Sequence, residues 1–130
     1  CPELLCLGLD REDVRGGERP VLAENTRIRG ALEAPESQEK LKRLAEPVVY
    51  QILEYQKNGF SVLGVIGVNR SPSCGVETTS AHDEETGGTG MFIAILREEL
   101  DARGISLPMI GIKANETEQA VASVRHLLGC

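Results

Sequence analysis

The sequence predicts an α/β domain, a small three-layer fold with a short parallel sheet flanked by helices. Three observations carry this expectation. The most apolar run, Phe60-Ser-Val-Leu-Gly-Val-Ile-Gly-Val68, reads as a fully buried parallel strand. A helical pattern precedes it, and a further helix, strand and helix follow, which is the alternation of crossover units. With two Phe, two Tyr and no Trp, the core must be filled by Val, Ile, Leu and Ala.

Taken in order, Cys1-Pro2-Glu3 reads as a turn that runs into Leu4-Leu5-Cys6-Leu7-Gly8-Leu9, a short apolar segment. Residues Asp10 to Pro35 are charged, contain Gly16, Gly17, Gly30 and Pro20, and show no sustained period, so an irregular excursion is expected. Helical signals begin at Ser37, a candidate N-cap with Glu39 in the first turn. Leu41, Leu44, Ala45, Val48, Ile52 and Tyr55 then place an apolar stripe on one face of a helix that runs to about Lys57. Pro47 is expected to kink this helix or mark a second start, and Asn58-Gly59 ends it as a left-handed cap. After the strand and Gly75, Val76 to Thr89 reads as a polar loop. A second helix is expected from Met91 to about Arg103, with Phe92, Ile95, Leu96 and Leu100 inward and Gly104 as its cap. Leu107 to Ala114 is a second strand. A last helix, capped by Asn115 or Thr117, turns Ala120, Val121, Val124, Leu127 and Leu128 inward. Two parallel strands make a thin sheet, so a strand before Cys1 or one near Leu4 to Leu9 is expected to complete it. The 130 residues are thus expected to form one domain, incomplete at its N-terminus.

Charge and composition exclude several partners. Lys and Arg total 14 against 20 Asp and Glu, a formal charge of −6, and the basic residues form no stripe. Nucleic acid and anionic membrane surfaces are therefore not expected. No run approaches the roughly 18 apolar residues of a transmembrane helix, and no leader is visible. Cys1, Cys6, Cys74 and Cys130 are too few for a disulfide scaffold at this length. They suit reduced thiols, a metal site or a cluster in a cytoplasmic protein.

The candidate chemistry centres on Ser71-Pro72-Ser73-Cys74-Gly75, at the carboxyl end of the first strand, where open α/β sheets place their ligands. Two hydroxyls flank a thiol there. Cys1 also sits in a Pro-containing turn, and the two thiols with one more ligand can hold zinc or an iron–sulfur cluster; buried inert cysteines are the competing reading. Cys6 is a third ligand or a core residue, and Cys130 an exposed thiol. Glu3 is an acid or base beside such a site, or a capping carboxylate. His82 with Asp83, Glu84 and Glu85 reads as a solvated acidic loop in preference to a metal or proton-transfer site, and His126 as a surface residue. Gly87-Gly88-Thr89-Gly90, ahead of a helix, can cradle an anion, although it lacks the dinucleotide and Walker fingerprints.

Cys1-Pro2-Glu3 with Leu7-Gly8-Leu9 and Arg11, Ser71-Pro72-Ser73-Cys74-Gly75 after a Leu-Gly-Val-Ile-Gly-Val strand, and Gly90-Met91-Phe92 opening a helix together resemble the thiouracil desulfidase family and its shorter desulfidase relatives. The resemblance covers about residues 1 to 11 and 37 to 113. It implies a 4Fe-4S cluster on three cysteines with one iron left open, which polarises a thiocarbonyl or thioamide small molecule so that water replaces its sulfur without net redox. It further implies Cys1 and Cys74 as ligands, Ser71 beside the open iron and Glu3 in the catalytic turn. A homodimer is compatible with it. In the family, one ligand cysteine precedes the Cys-Pro-Glu turn, so the third ligand here is expected upstream of Cys1, or is Cys6 or Cys130. An iron–sulfur or zinc module without turnover, and an interaction domain with structural cysteines, remain as alternatives.

Overall fold

The computed structural model describes all 130 residues and shows an α/β architecture. In chain order it comprises α1 (Pro2–Leu7), α2 (Val21–Glu33), α3 (Pro35–Lys57), β1 (Val65–Val68), β2 (Thr78–Ala81), β3 (Glu84–Gly87), α4 (Met91–Asp101), β4 (Met109–Ile112) and α5 (Thr117–Leu127). A short 3₁₀ turn, Gly16–Glu18, precedes α2. β1 and β4 pair in parallel, Val65 opposite Met109 through Val68 opposite Ile112, as a crossover through α4 requires. β2 and β3 form a separate antiparallel hairpin.

The core is made by helices rather than by the strand. Twelve buried residues form one cluster drawn from α1, α2, α3, α4 and Ile105, and Leu32, Leu41, Ala45, Leu96 and Leu100 are almost wholly excluded from solvent. Val65 and Met109 pack against this cluster from one face of the sheet. On the opposite face α5 lies against β4, and a Cβ on Gly64 would meet the Leu127 side chain 2.8 Å away. The three layers are therefore α1 to α4, the two-stranded sheet, and α5.

Several local expectations are corrected. Cys1-Pro2-Glu3 is not a turn and no strand lies at Leu4 to Leu9; Pro2 occupies the first position of α1, where its missing N–H costs no bond. The segment from Asp10 to Pro35 is not wholly irregular, because residues 21–33 form α2. Only Ile28 and Leu32 of α2 are buried, one turn apart, while its polar residues face the hairpin, so its apolar period is too sparse to read. Ser37 is not the cap of α3. Pro35 forces Ala34 into extended geometry, which separates α2 from α3 and makes Ala34 the N-cap, three residues before Ser37. α3 then runs unbroken through Pro47 to Lys57, and Tyr55 is exposed against Phe60 instead of facing the core.

The first strand is shorter than its apolar run and is not fully buried. Phe60, Leu63, Ile66 and Val68 are each about half exposed or more, since α5 covers the β4 side of that face. The second strand is likewise confined to 109–112. The stretch from Val76 to Thr89 is a hairpin rather than a loop, with His82 and Asp83 as its two-residue turn, both at positive φ. In α5 no residue is fully buried, Val121 and Leu128 are exposed, and neither Asn115 nor Thr117 caps the helix. No helix is long and apolar enough to cross a membrane.

Candidate functional site

The Ser71–Gly75 turn is built by three sets of hydrogen bonds. Ser71 Oγ accepts the backbone N–H of Cys74 at 2.9 Å and of Ser73 at 3.3 Å, and Gly75 N–H returns to the Ser71 carbonyl at 3.2 Å. Val68 N–H binds the Cys74 carbonyl at 2.8 Å, which ties the turn back onto β1. The N-terminus of α4 supplies the third set: Met91 N–H donates to the Pro72 carbonyl, and Phe92 and Ile93 N–H to the Ser73 carbonyl.

The last set corrects the expectation for Gly87 to Gly90. The free N–H groups of the α4 terminus are consumed by the turn's carbonyls, so this stretch does not cradle an anion. Gly90 is required for a different reason. A Cβ there would run into the backbone of Ser73 and Cys74, so only glycine lets the helix approach this closely.

α1 brings the other half of the site. Ser73, 1% exposed, donates its hydroxyl proton to Glu3 Oε1 at 2.9 Å. Its oxygen lies 3.2 Å from Ser71 Oγ and 3.4 Å from Cys74 Sγ. A serine hydroxyl has one proton, and with that proton given to Glu3, the Cys74 thiol is free to donate to Ser73. Glu3 also faces Arg11 Nε at 3.5 Å, and Arg11 Nη2 lies 3.8 Å from Cys1 Sγ. A continuous chain thus runs Cys74, Ser73, Glu3, Arg11, Cys1. It offers the Cys74 proton a route to a carboxylate held beside a guanidinium, and it places a cation next to the second thiol.

The structure brings Cys1, Glu3, Ser71 and Cys74 into one network and leaves the remaining candidates elsewhere. Cys6 is 5% exposed within the main core, where burial pushes its thiol above the ordinary 9.0 although nearby Lys40 opposes the shift. Cys130 is exposed after α5, and all four cysteines are free thiols. His82 sits at the hairpin tip, His126 is exposed on α5, and Glu85 pairs with Lys113 at 2.7 Å. Lys113 and the Thr78 hydroxyl hold the Glu85 carboxyl below its usual 4.5. No group of three or more His, Cys, Asp and Glu side chains is arranged to hold a metal ion. The donors at the site fall one thiolate short of a three-cysteine cluster cradle.

The sequence marks Ser73 only as a hydroxyl beside the Cys74 thiol; its link to Glu3 spans 70 positions and has no local signal. Nor does it assign a role to Asn25 of α2, which donates to Ser80 Oγ at 3.2 Å and joins that helix to the hairpin beside the site.

No protein family model matches the chain, and no solved structure matches it. Over 76 residues, 58% of its length, it is 29% identical to an uncharacterized protein of Methanocaldococcus jannaschii. The chain spans 40% of the length of that relative.

Proposed function

We propose that the turn at Ser71 to Gly75 and the start of α1 form a desulfidase-type site that removes sulfur from a small thiocarbonyl or thioamide compound. The observation that supports this reading most is the hydrogen-bonded chain from Cys74 through Ser73 to Glu3, 2.9 Å at its carboxylate end, with Arg11 and Cys1 continuing it. In this reading Cys1 and Cys74 contribute two thiolates to a 4Fe-4S cluster, with the third thiolate outside the network described above. When bound, such a cluster supplies a Lewis-acidic iron with an open position.

The roles left to this chain's residues follow from their chemistry. Glu3, supported by Arg11, accepts a proton from the attacking water through hydrogen-bond reach of the site. Before turnover, as the Cys74 thiolate forms, Ser73 passes the thiol proton to Glu3, which releases it to solvent and is again a carboxylate when water attacks; Ser71 holds the turn that presents both. In the net reaction a C=S bond and water give a C=O bond and hydrogen sulfide, so the oxygen comes from water and no electrons are exchanged.

Anaerobic reconstitution with iron and sulfide, followed by absorbance in the iron–sulfur charge-transfer region and by sulfide release from 2-thiouracil, tests the reading. Iron binding with sulfide release is expected, and Cys74→Ser loses both. Protein that binds no iron refutes the cluster; protein that binds iron but releases no sulfide from 2-thiouracil or thioamides is a binding module.

A further inference from the structure

A cavity of about 250 Å³ adjoins the Glu3 and Ser71 side chains and runs along the end of β1 to Arg70, with Val21 and Val68 in its walls and Asn25 on its α2 side. That volume is below the roughly 300 Å³ at which drug-sized ligand sites begin, so it suits a single ring. Its two apolar side chains can hold the faces of such a ring.

Two of its polar residues are free to meet a ligand. Asn25 spends its Nδ2 on Ser80 Oγ, which fixes the amide and leaves Oδ1 as an unused acceptor for a ring N–H. Arg70 is exposed, and its guanidinium makes no hydrogen bond or ion pair within the chain. Glu85, the nearby carboxylate, is already taken by Lys113 and Thr78.

The backbone of Arg70 strengthens the case. Its φ is +73°, a conformation disfavoured for any residue with a Cβ. Three bonds hold it there: its N–H to the Thr78 carbonyl and hydroxyl, both at 3.1 Å, and its carbonyl from the Ser80 hydroxyl at 2.6 Å. Glycine would sit in this place without strain, yet the chain carries its one unpaired cation of the cavity here. Strain of this kind is tolerated where the side chain's position is used.

We infer that this cavity is the substrate pocket of the proposed site and selects a single-ring heterocycle bearing a carboxylate, with Arg70 on the carboxylate and Asn25 Oδ1 on a ring N–H. A carboxylate matches the two-pronged guanidinium of a single arginine. The inference rests on the desulfidase reading for the reaction but not for the binding step.

Calorimetric titration of the protein without cluster tests it, using uracil-6-carboxylate and uracil, which contain no sulfur and need no turnover. Uracil-6-carboxylate is expected to bind at least about tenfold more tightly than uracil, a difference of one charge-assisted contact. Arg70→Ala abolishes that preference, Arg70→Lys retains part of it, and Asn25→Asp weakens the carboxylate ligand more than uracil by adding a like charge. Amide shifts in an NMR titration should fall on Val21, Asn25, Arg70 and Ser71. Equal affinities, no binding by either ligand, an Arg70→Ala variant that keeps the preference, or shifts confined to another surface would each overturn the pocket assignment. Failure to release sulfide after reconstitution refutes the reaction alone and leaves the preference for the carboxylate intact.

Discussion

Ser73 is the residue on which the site turns. It is buried, it carries the hydrogen bond that holds α1 to the turn, and it stands between the thiol of Cys74 and the carboxylate of Glu3. Replacing it by alanine leaves the Glu3 carboxylate, 14% exposed, with only Arg11 opposite. Ser73→Ala is therefore expected to lower stability by about 1 to 3 kcal/mol, the cost of a buried polar partner left unsatisfied. Urea denaturation measures this. Unchanged stability would show that the hydroxyl has no part in holding the site together. Cys6 lies apart from this network, in the main core among Leu and Ile side chains, where desolvation penalises its thiolate.

At the scale of elements, the hairpin and α4 make the site rigid from opposite sides. Asn25, Thr26 and Arg29 of α2 each bond the hairpin, to Ser80, the Asp83 N–H and Thr79 respectively, while Thr79 Oγ1 donates to the Ser71 carbonyl at 3.0 Å. The turn is thus clamped between the hairpin and the α4 terminus. The tip of the hairpin is strained, with His82 at φ 54° and Asp83 at φ 59°. A two-residue turn of this geometry prefers Asn-Gly. The double substitution His82→Asn, Asp83→Gly keeps the backbone N–H that Thr26 accepts, and it is expected to raise stability by about 1 kcal/mol. A higher Tm in thermal unfolding supports that expectation, and a lower one would mean that the His82 or Asp83 side chain contributes a contact of its own. The pair of Glu85 and Lys113 links the hairpin to the end of β4. Since the Glu85 carboxyl is depressed, its contribution is present above 4.5 and fades as pH falls through its folded value. Lys113 is raised, so its contribution holds below 10.5 and fades as pH rises through its folded value.

For the molecule as a whole, the centre of gravity of the core lies between α3 and α4, not at the strand. Leu96 is 2% exposed and belongs to the main cluster, whereas Ile66 in β1 is 48% exposed. Leu96→Ala is expected to cost about 2 to 5 kcal/mol, the range for a buried leucine. Ile66→Ala should cost less than about 1 kcal/mol, because half of its surface is already in water. Chemical denaturation of the two variants decides the matter, and a larger loss at Ile66 would place the core at the sheet instead. The uncovered strip of Ile66, Val68, Leu63 and Phe60 is unusual for a parallel sheet, which is normally covered on both faces.

The sequence by itself determined the α/β class, the helices at Leu41 to Lys57 and Met91 to Leu100, the cap at Gly59 and the position of the turn at Cys74. Each of these rests on a short-range signal: an apolar period of three to four residues, a glycine at positive φ, or a proline next to a strand end. The three-dimensional structure decided what those signals do not encode. α2 is held by two buried residues and by polar bonds to a hairpin more than 50 positions away, so its period is faint. The hairpin's turn lacks the glycine that marks most such turns, and bonds from α2 keep it in place. The joining of Cys1, Glu3 and Arg11 to Ser73 and Cys74 depends on packing α1 against the turn, a contact across 70 positions that only the buried core can bring about.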